Sequence, residues 1–112
     1  MNRSILDLEI HHLESAMTFG ISSLSQLRLF LMACKFEGCD LSEITGLDPS
    51  LDSYKSQATH LRKLMLGSKL RGYDGLRLLH FGETTEGKLR QVLLTKKGNE
   101  LKKIMFANEF DG

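Results

Sequence analysis

Residues 74–98 decide the fold, and they read DGLRLLHFGETTEGKLRQVLLTKKG. Residues 76–81 are a short apolar run with two basic residues, and residues 89–94 are a second run of the same kind. Runs of this length predict β-strands. The polar segment between them is bounded by Gly82 and Gly87, which is typical of a hairpin tip. We therefore predict two antiparallel strands joined by a polar tip, followed by a helix that begins at Thr95.

Before this hairpin, the first 46 residues predict three helices. Apolar residues recur at intervals of three and four over residues 3–18 and 23–36, and a shorter helical segment spans residues 41–45. Each of the three is followed by a glycine that can end a helix, namely Gly20, Gly38 and Gly46. The second and third helices each open on a pair with capping-box spacing. These pairs are Ser23 with Gln26 and Asp40 with Glu43.

A fourth, longer helix follows, and the sequence leaves its start open. Its apolar rhythm extends back to Pro49, with Asp48 as the cap. Alternatively Asp52 or Ser53 is the cap. In both interpretations the helix ends near residue 67 or 68, where glycine and serine follow the last apolar residues.

The predicted order is helix, helix, short helix, longer helix, strand, hairpin tip, strand and helix. This order is that of a winged helix-turn-helix, an α+β fold that is mostly helical and carries a two-stranded β wing. In this fold the longer helix of the pair lies in the major groove of DNA, and the wing reaches a neighbouring groove or the backbone. A chain of 112 residues is long enough for one such domain, and we expect residues 1–112 to form it.

Three segments resemble the MarR-type winged-helix transcription regulators. Residues 40–46, DLSEITG, resemble the family's first helix-turn-helix element, and residues 56–61, SQATHL, resemble the start of its recognition helix. The most specific match is residues 74–79, DGLRLL, followed after the wing tip by residues 88–98, KLRQVLLTKKG. The closing Leu-Thr-x-x-Gly at residues 94–98 resembles the family's junction between the last wing strand and the final helix. The resemblance covers residues 20–104. It implies a sequence-specific DNA-binding transcription regulator, a repressor that acts as a homodimer on a pseudo-palindromic operator.

The chain departs from the family pattern at three places. About six residues are inserted around residues 47–52, and His60 stands where the family often has arginine, a strong reader of guanine. The wing lacks the family's Asp-x-x-Asp-x-Arg-Arg sequence and has Lys88 and Arg90 instead. These differences predict a compact and divergent member.

We predict that the fourth helix and the wing bind DNA. If Ala58, Leu61 and Met65 face the core, helical geometry turns the polar residues outward. A glutamine can pair with adenine, a threonine can contact a thymine methyl group, and lysines contact phosphates. The predicted residues are Ser53, Tyr54, Lys55, Ser56, Gln57, Thr59, His60 and Lys63 on the helix, and Thr84, Thr85, Lys88 and Arg90 on the wing.

The charges are unevenly spread along a chain whose formal net charge is +1. Residues 1–52 hold three basic and eight acidic side chains, whereas residues 53–103 hold twelve basic and four acidic ones. This division suits a protein that meets a polyanion with one face. The alternative is a winged-helix protein interaction module, or a replication or partition accessory, without sequence-specific DNA binding. Such a module would show apolar residues on the fourth helix.

Composition and motifs exclude several other classes. With 41% hydrophobic and 26% charged residues the chain is ordinary for a globular protein. It has neither an 18-residue apolar run nor a signal-peptide core, so we expect a cytoplasmic, nucleoid-associated protein without a membrane partner. Cys34 and Cys39 are too few for a disulfide framework, and the adjacent His11 and His12 lack metal-ligand spacing. We find no catalytic motif and predict no enzyme activity, metal or cofactor.

The terminal helices, residues 1–18 and 96–112, carry more hydrophobic residues than a small monomer exposes. One helix in one groove buries limited surface, so we expect a homodimer that reads two half-sites. The residues expected in its interface are Ile5, Leu6, Leu8, Leu13, Ile104, Met105, Phe106 and Phe110. The sequence indicates no small-molecule effector.

Overall fold

The computed structural model describes residues 4–68, 70, 72–83 and 87–110, and these residues form five helices and four short strands. The helices are α1 (Ile5–Thr18), α2 (Leu24–Lys35), α3 (Leu41–Thr45), α4 (Asp52–Leu64) and α5 (Lys96–Phe110). The strands are β1 (Gly67–Ser68), β2 (Tyr73–Asp74), β3 (Leu79–Phe81) and β4 (Val92–Leu94). The predicted α+β, mostly helical class is confirmed.

The caps predicted for α2 and α3 form. Ser23 Oγ accepts a hydrogen bond from Gln26 N at 3.2 Å, although Gln26 Oε1 accepts from Ser22 N rather than closing the box. The box of α3 is complete, because Asp40 Oδ1 accepts from Glu43 N at 2.9 Å and Glu43 Oε1 accepts from Asp40 N at 3.1 Å. The start of α3 is therefore fixed by local hydrogen bonds.

The start of α4 corrects both sequence-based interpretations. The helix does not extend back to Pro49, because Asp48 Oδ1 accepts hydrogen bonds from Ser50 N at 2.8 Å and Ser50 Oγ at 2.6 Å and so holds a separate turn. The N-cap is Leu51, one residue before the predicted caps, and its side chain makes no capping hydrogen bond. A search for capping side chains therefore misplaces this start. The helix also ends earlier than predicted, at residue 64.

The β3–β4 hairpin is antiparallel, with the register Leu79 to Leu94 and Phe81 to Val92. The first strand is shorter than predicted because Arg77 has a φ of 59°, outside the β region. The backbone N–H groups of residues 76–78 instead donate to the carbonyls of residues 63–65 at 2.8 to 2.9 Å. These bonds satisfy carbonyls that the end of α4 leaves unpaired.

A second hairpin, β1 with β2, lies where α4 was predicted to end. This hairpin requires close contact between backbone atoms. A Cβ on Gly75 would overlap Met65 O, and a Cβ on Gly67 would overlap Gly75 N. Gly67 also has a φ of 80°. Gly67, near which the fourth helix was predicted to end, therefore permits a tight hairpin instead.

Residues 37–40 pair with the outer edge of β4. Gly38 N donates to Val92 O at 3.0 Å, and Val92 N donates to Cys39 O at 2.9 Å. The Glu37 carboxylate accepts from Leu94 N at 2.8 Å. The connection between α2 and α3 is therefore held against β4 by hydrogen bonds and by one β-bridge, between Asp40 and Gln91.

One hydrophobic core joins α2, α4, α5 and the β3–β4 hairpin, with Phe30, Leu64, Leu78 and Leu101 fully buried. Met105 is also in this core, with 1% of its surface exposed, so its predicted place in a dimer interface is wrong. It faces inward because Leu101 and Met105 lie one turn apart on the same side of α5. None of the helices in the described ranges is both long and apolar enough to cross a bilayer.

Candidate nucleic-acid interface

The face of α4 opposite the core is polar and basic. Leu61, Leu64 and Met65 are buried, which orients the helix. Lys55, Ser56 and Arg62 are exposed on the other side, and Thr59 and Lys63 are partly exposed between them. We call these five residues the α4 basic face. Its extent agrees with helical geometry, since Thr59, Arg62 and Lys63 follow Lys55 by four, seven and eight residues and Ser56 precedes Thr59 by three and Lys63 by seven.

Three residues predicted to point outward lie instead on the flanks of α4. Tyr54 packs against the core, and burial together with the charge of Asp40 raises the pKa of its phenol. Gln57 and His60 are half-buried, and His60 Nδ1 is fully buried with no hydrogen-bond partner among the described residues. These residues are less exposed than predicted because Leu64 is buried as well as Leu61, so the core-facing side of the helix is wider than the sequence pattern indicated.

Ser53 lies exposed in the first turn of α4, beside Asp52. Lys55 Nζ approaches Asp52 Oδ1 to 3.9 Å, and both side chains are largely exposed. Exposed pairs at this distance contribute about 0 to 1 kcal/mol. Asp52 is favoured there by the helix dipole, and Lys55 stays accessible to an anion.

The two wing residues that the structure describes differ in their surroundings. Arg90 is exposed, and its guanidinium lies 4.9 Å from the centre of the Phe81 ring. Lys88 is exposed in a cleft that also holds the carboxylates of Asp40, Glu43 and Glu83. Arg90 is therefore the stronger candidate for an anion contact. The predicted residues Thr84 and Thr85 lie outside the described residues.

Three basic side chains that the sequence prediction omitted lie near Arg90. Arg62, Arg77 and His80 line, together with Arg90, an open cavity of about 380 Å³ between the end of α4 and the β3–β4 hairpin. Arg62 follows Lys55 by seven residues, two helical turns, so its position on the α4 basic face was available from the sequence. The position of Arg77 could not be predicted from the sequence, because it depends on a left-handed backbone conformation.

Comparison of the chain with protein-family models, with curated protein sequences and with solved structures returns no match. The function must therefore be inferred from the residues and geometry of this chain.

Proposed function

We propose that the protein is a winged-helix transcription regulator, similar to the MarR type, that binds duplex DNA in a sequence-specific manner. In this proposal α3 and α4 are the helix-turn-helix, and the β3–β4 hairpin is the wing. The observation that carries it is the α4 basic face, which presents Lys55, Arg62 and Lys63 around the small polar side chains of Ser56 and Thr59. A helix of 13 residues is about 20 Å long and fits lengthwise in a major groove.

The side chains on this face divide into two roles. Lys55 and Lys63 are at opposite ends of the exposed surface, where they can contact phosphates on either side of a groove. Ser56 and Thr59 lie between them and are the side chains placed to contact base edges. Gln57 contributes only from the flank because it lies one turn before the buried Leu61, nearer the core-facing side of the helix than Thr59. By occupying a promoter, a protein bound in this way would act as a repressor.

The interaction-module alternative requires apolar residues on this surface of α4. The α4 basic face contains none, and its three cations are better matched to a polyanion than to an apolar partner surface. Sequence-specific DNA binding is therefore the function that the geometry supports best.

The homodimer is part of this proposal, and an exposed apolar stripe on α1 supports it. Leu6, Ile10, Leu13 and Met17 follow one another at intervals of four, three and four residues and are 70%, 51%, 42% and 69% exposed. The opposite side of α1 packs on α5, where the rings of His12 and Phe106 are 5.0 Å apart. An apolar stripe of this spacing, left open to solvent, is typical of a helix-packing surface.

Charge selects the arrangement of the two copies. The α1 stripe is flanked by Asp7, Glu9 and Glu14, and α1 carries no lysine or arginine, so two α1 stripes facing each other would bring like charges together. The solvent side of α5 carries Lys103 next to the exposed Ile104, with Glu100 one turn before Ile104 and Lys96 two turns before it. We therefore propose that α1 of each copy packs on α5 of the other copy. In this two-fold arrangement the acidic flanks of α1 meet Lys96 and Lys103, which outnumber Glu100 on that side of α5.

The test of DNA binding is a salt titration. Fluorescence anisotropy on a mixed-sequence duplex, from about 50 to 300 mM salt, gives the slope of log K against log salt, which changes by about 0.9 for each phosphate contact. We expect Lys55→Gln with Lys63→Gln to lower the slope by about 1.8. Arg28→Gln with Lys35→Gln removes the same charge from exposed positions of α2 and should leave the slope unchanged.

Selection of bound sequences from a randomised duplex pool then tests specificity. An enriched pseudo-palindrome with half-sites about one helical turn apart is expected for a dimer. Absence of binding at the lowest salt would contradict the proposed function and favour the interaction module. Equal slopes for the two double variants would remove α4 from the binding surface.

A further inference from the structure

The cavity between the end of α4 and the β3–β4 hairpin combines cationic and apolar walls. Arg62, Arg77, His80 and Arg90 supply the basic side chains, and none of the described residues that line it is acidic. Its apolar wall includes Phe81. A volume of about 380 Å³ is in the range of small-ligand sites and is larger than a single small ion needs.

The three arginines have no anionic partner in the described part of the chain. Arg62 Nη2 donates to Thr59 Oγ1 at 3.3 Å, and Arg90 Nη2 lies 3.5 Å from Gly82 O, a weak contact with a neutral acceptor. Three arginines line one cavity, and like charges brought close together repel one another. A bound anion would remove this repulsion and could accept charge-assisted hydrogen bonds from the guanidinium forks.

The backbone of Arg77 adds an independent observation. Its φ of 59° belongs to the left-handed region, which glycine adopts without strain, and it is the one non-glycine residue of the described chain with a positive φ. Two hydrogen bonds hold it there, from Arg77 N to Met65 O at 2.8 Å and from Thr95 Oγ1 to Arg77 O at 2.6 Å. A strained backbone that carries an arginine where glycine would be easier is typical of a binding site.

We propose that this cavity binds a sugar phosphate, with the phosphate held by Arg62, Arg77 and Arg90 and the sugar against Phe81. A DNA strand and a free nucleotide both supply this chemistry. The DNA source rests on the proposed function, because the cavity adjoins the α4 basic face through Arg62 and so would meet the strand that borders the groove. The free-nucleotide source does not depend on it.

Two variants remove one cation each with little change elsewhere. Arg77→Asn removes the guanidinium and keeps a residue that tolerates a left-handed backbone, so it is expected to fold. Arg62→Gln removes a cation from an exposed helical position. Arg28→Gln, at an exposed position of α2 outside the cavity, is the control with the same loss of charge. Circular dichroism spectra should confirm that all three fold.

The experiment has two arms. In the first, thymidine 5′-phosphate is titrated into the full chain, without DNA, and followed by NMR at the arginine Nε–Hε signals. We expect saturable shifts, and at least a fivefold weaker affinity in Arg77→Asn and Arg62→Gln but not in Arg28→Gln. In the second, each variant is titrated with duplex DNA across salt, and each of the two cavity variants should lower the slope by about 0.9.

The arms separate the two sources. Arg62 also belongs to the α4 basic face, so Arg77→Asn decides the DNA arm. A slope change in Arg77→Asn without nucleotide binding assigns the cavity to a strand phosphate. Nucleotide binding without this slope change assigns it to a free ligand, and both effects together assign it to either. Each of these results supports the site. If both cavity variants match Arg28→Gln in nucleotide binding and Arg77→Asn also matches it in slope, the proposal is wrong. If the chain binds no duplex, the proposed function fails while the nucleotide arm still decides whether the cavity binds a phosphate.

Discussion

Replacement of Gly98 by alanine tests how closely α5 approaches the β3–β4 hairpin. Gly98 lies in the first turn of α5, where its N–H donates to Thr95 Oγ1 at 3.0 Å. A Cβ at this position would overlap Leu78 O and lie 3.3 Å from Leu94 Cδ2. Leu78 O also accepts a hydrogen bond from Thr95 N at 3.0 Å, so it cannot move away freely.

Two effects of opposite sign decide the result. Alanine favours a helix over glycine by about 1 kcal/mol, which alone predicts a more stable protein. The overlap, however, forces α5 outward, which weakens the bond from Thr95 N to Leu78 O, at a net cost of about 1 kcal/mol. It also disturbs the packing of the buried Leu101 and Met105, and overpacking of this kind costs about 2 kcal/mol. We therefore expect Gly98→Ala to lower the free energy of unfolding by about 2 kcal/mol.

Urea denaturation followed by circular dichroism measures this change. With a slope of about 2 kcal/mol per molar urea, the midpoint should fall by about 1 M. Gly38→Ala is the matched control, since Gly38 has a φ of 94° but no atom within 4 Å of a built Cβ. It should lose only about 1 kcal/mol, from the left-handed backbone. A Gly98→Ala midpoint at or above that of the unmodified protein would refute the close approach of α5 to Leu78.

Three further predictions follow from the caps, the cysteines and the terminal helices. Asp40→Ala should cost about 1 kcal/mol at pH 7 in the same denaturation assay. Burial raises the pKa of Asp40, but its capping hydrogen bonds outweigh burial and hold the pKa below the usual 3.8. The stabilisation by Asp40 is therefore lost as the pH falls through that lowered pKa. A destabilisation by Asp40→Ala that is the same at pH 2 as at pH 7 would contradict this. Burial raises the pKa of the Cys34 thiol to about 11, so iodoacetamide at pH 8 should alkylate Cys39 and spare Cys34 until urea is added, as mass spectrometry can show. Glu14→Lys should weaken the proposed dimer in sedimentation equilibrium and Lys103→Glu should restore it, whereas a stronger dimer in Glu14→Lys would indicate that two α1 stripes face each other.

The elements predicted correctly from sequence are those set by local hydrogen bonds. Asp40 and Glu43 close the capping box of α3 within four residues, and Gly46 ends the helix with a φ of 72°. Thr95 opens α5 by accepting from Gly98 N, as the Leu-Thr-x-x-Gly segment predicts. Neighbours within one turn of a helix are enough to specify each of these features.

The elements that were missed depend on contacts between distant residues. Arg77 leaves the β region because residues 76–78 hydrogen-bond to the end of α4, and no local pattern marks this pairing. The β1–β2 hairpin depends on the close backbone packing of Gly67 and Gly75. In the sequence, Gly67 resembles an ordinary helix stop. The exposure of His60 depends on how wide the buried side of α4 is. That width is set by tertiary packing and cannot be read from the spacing of apolar residues in the sequence.

The candidate site also has a part that the sequence predicts and a part that depends on contacts between distant residues. Helical spacing placed Lys55, Ser56, Thr59 and Lys63 on one surface, and the structure keeps them there. The arginine cavity could not be predicted, because it joins a helix to a hairpin through the unusual backbone of Arg77. Charge counting located the basic half of the chain, and only the fold shows which of its cations come together.

The pairing of residues 37–40 with β4 has a mechanical consequence. Asp40 is bridged to Gln91, just before β4 begins, and the same residue caps α3. A displacement of the hairpin at Gln91 would therefore be carried through Asp40 to the first turn of α3. A change in the angle of the hairpin should accordingly change the angle of α3 as well.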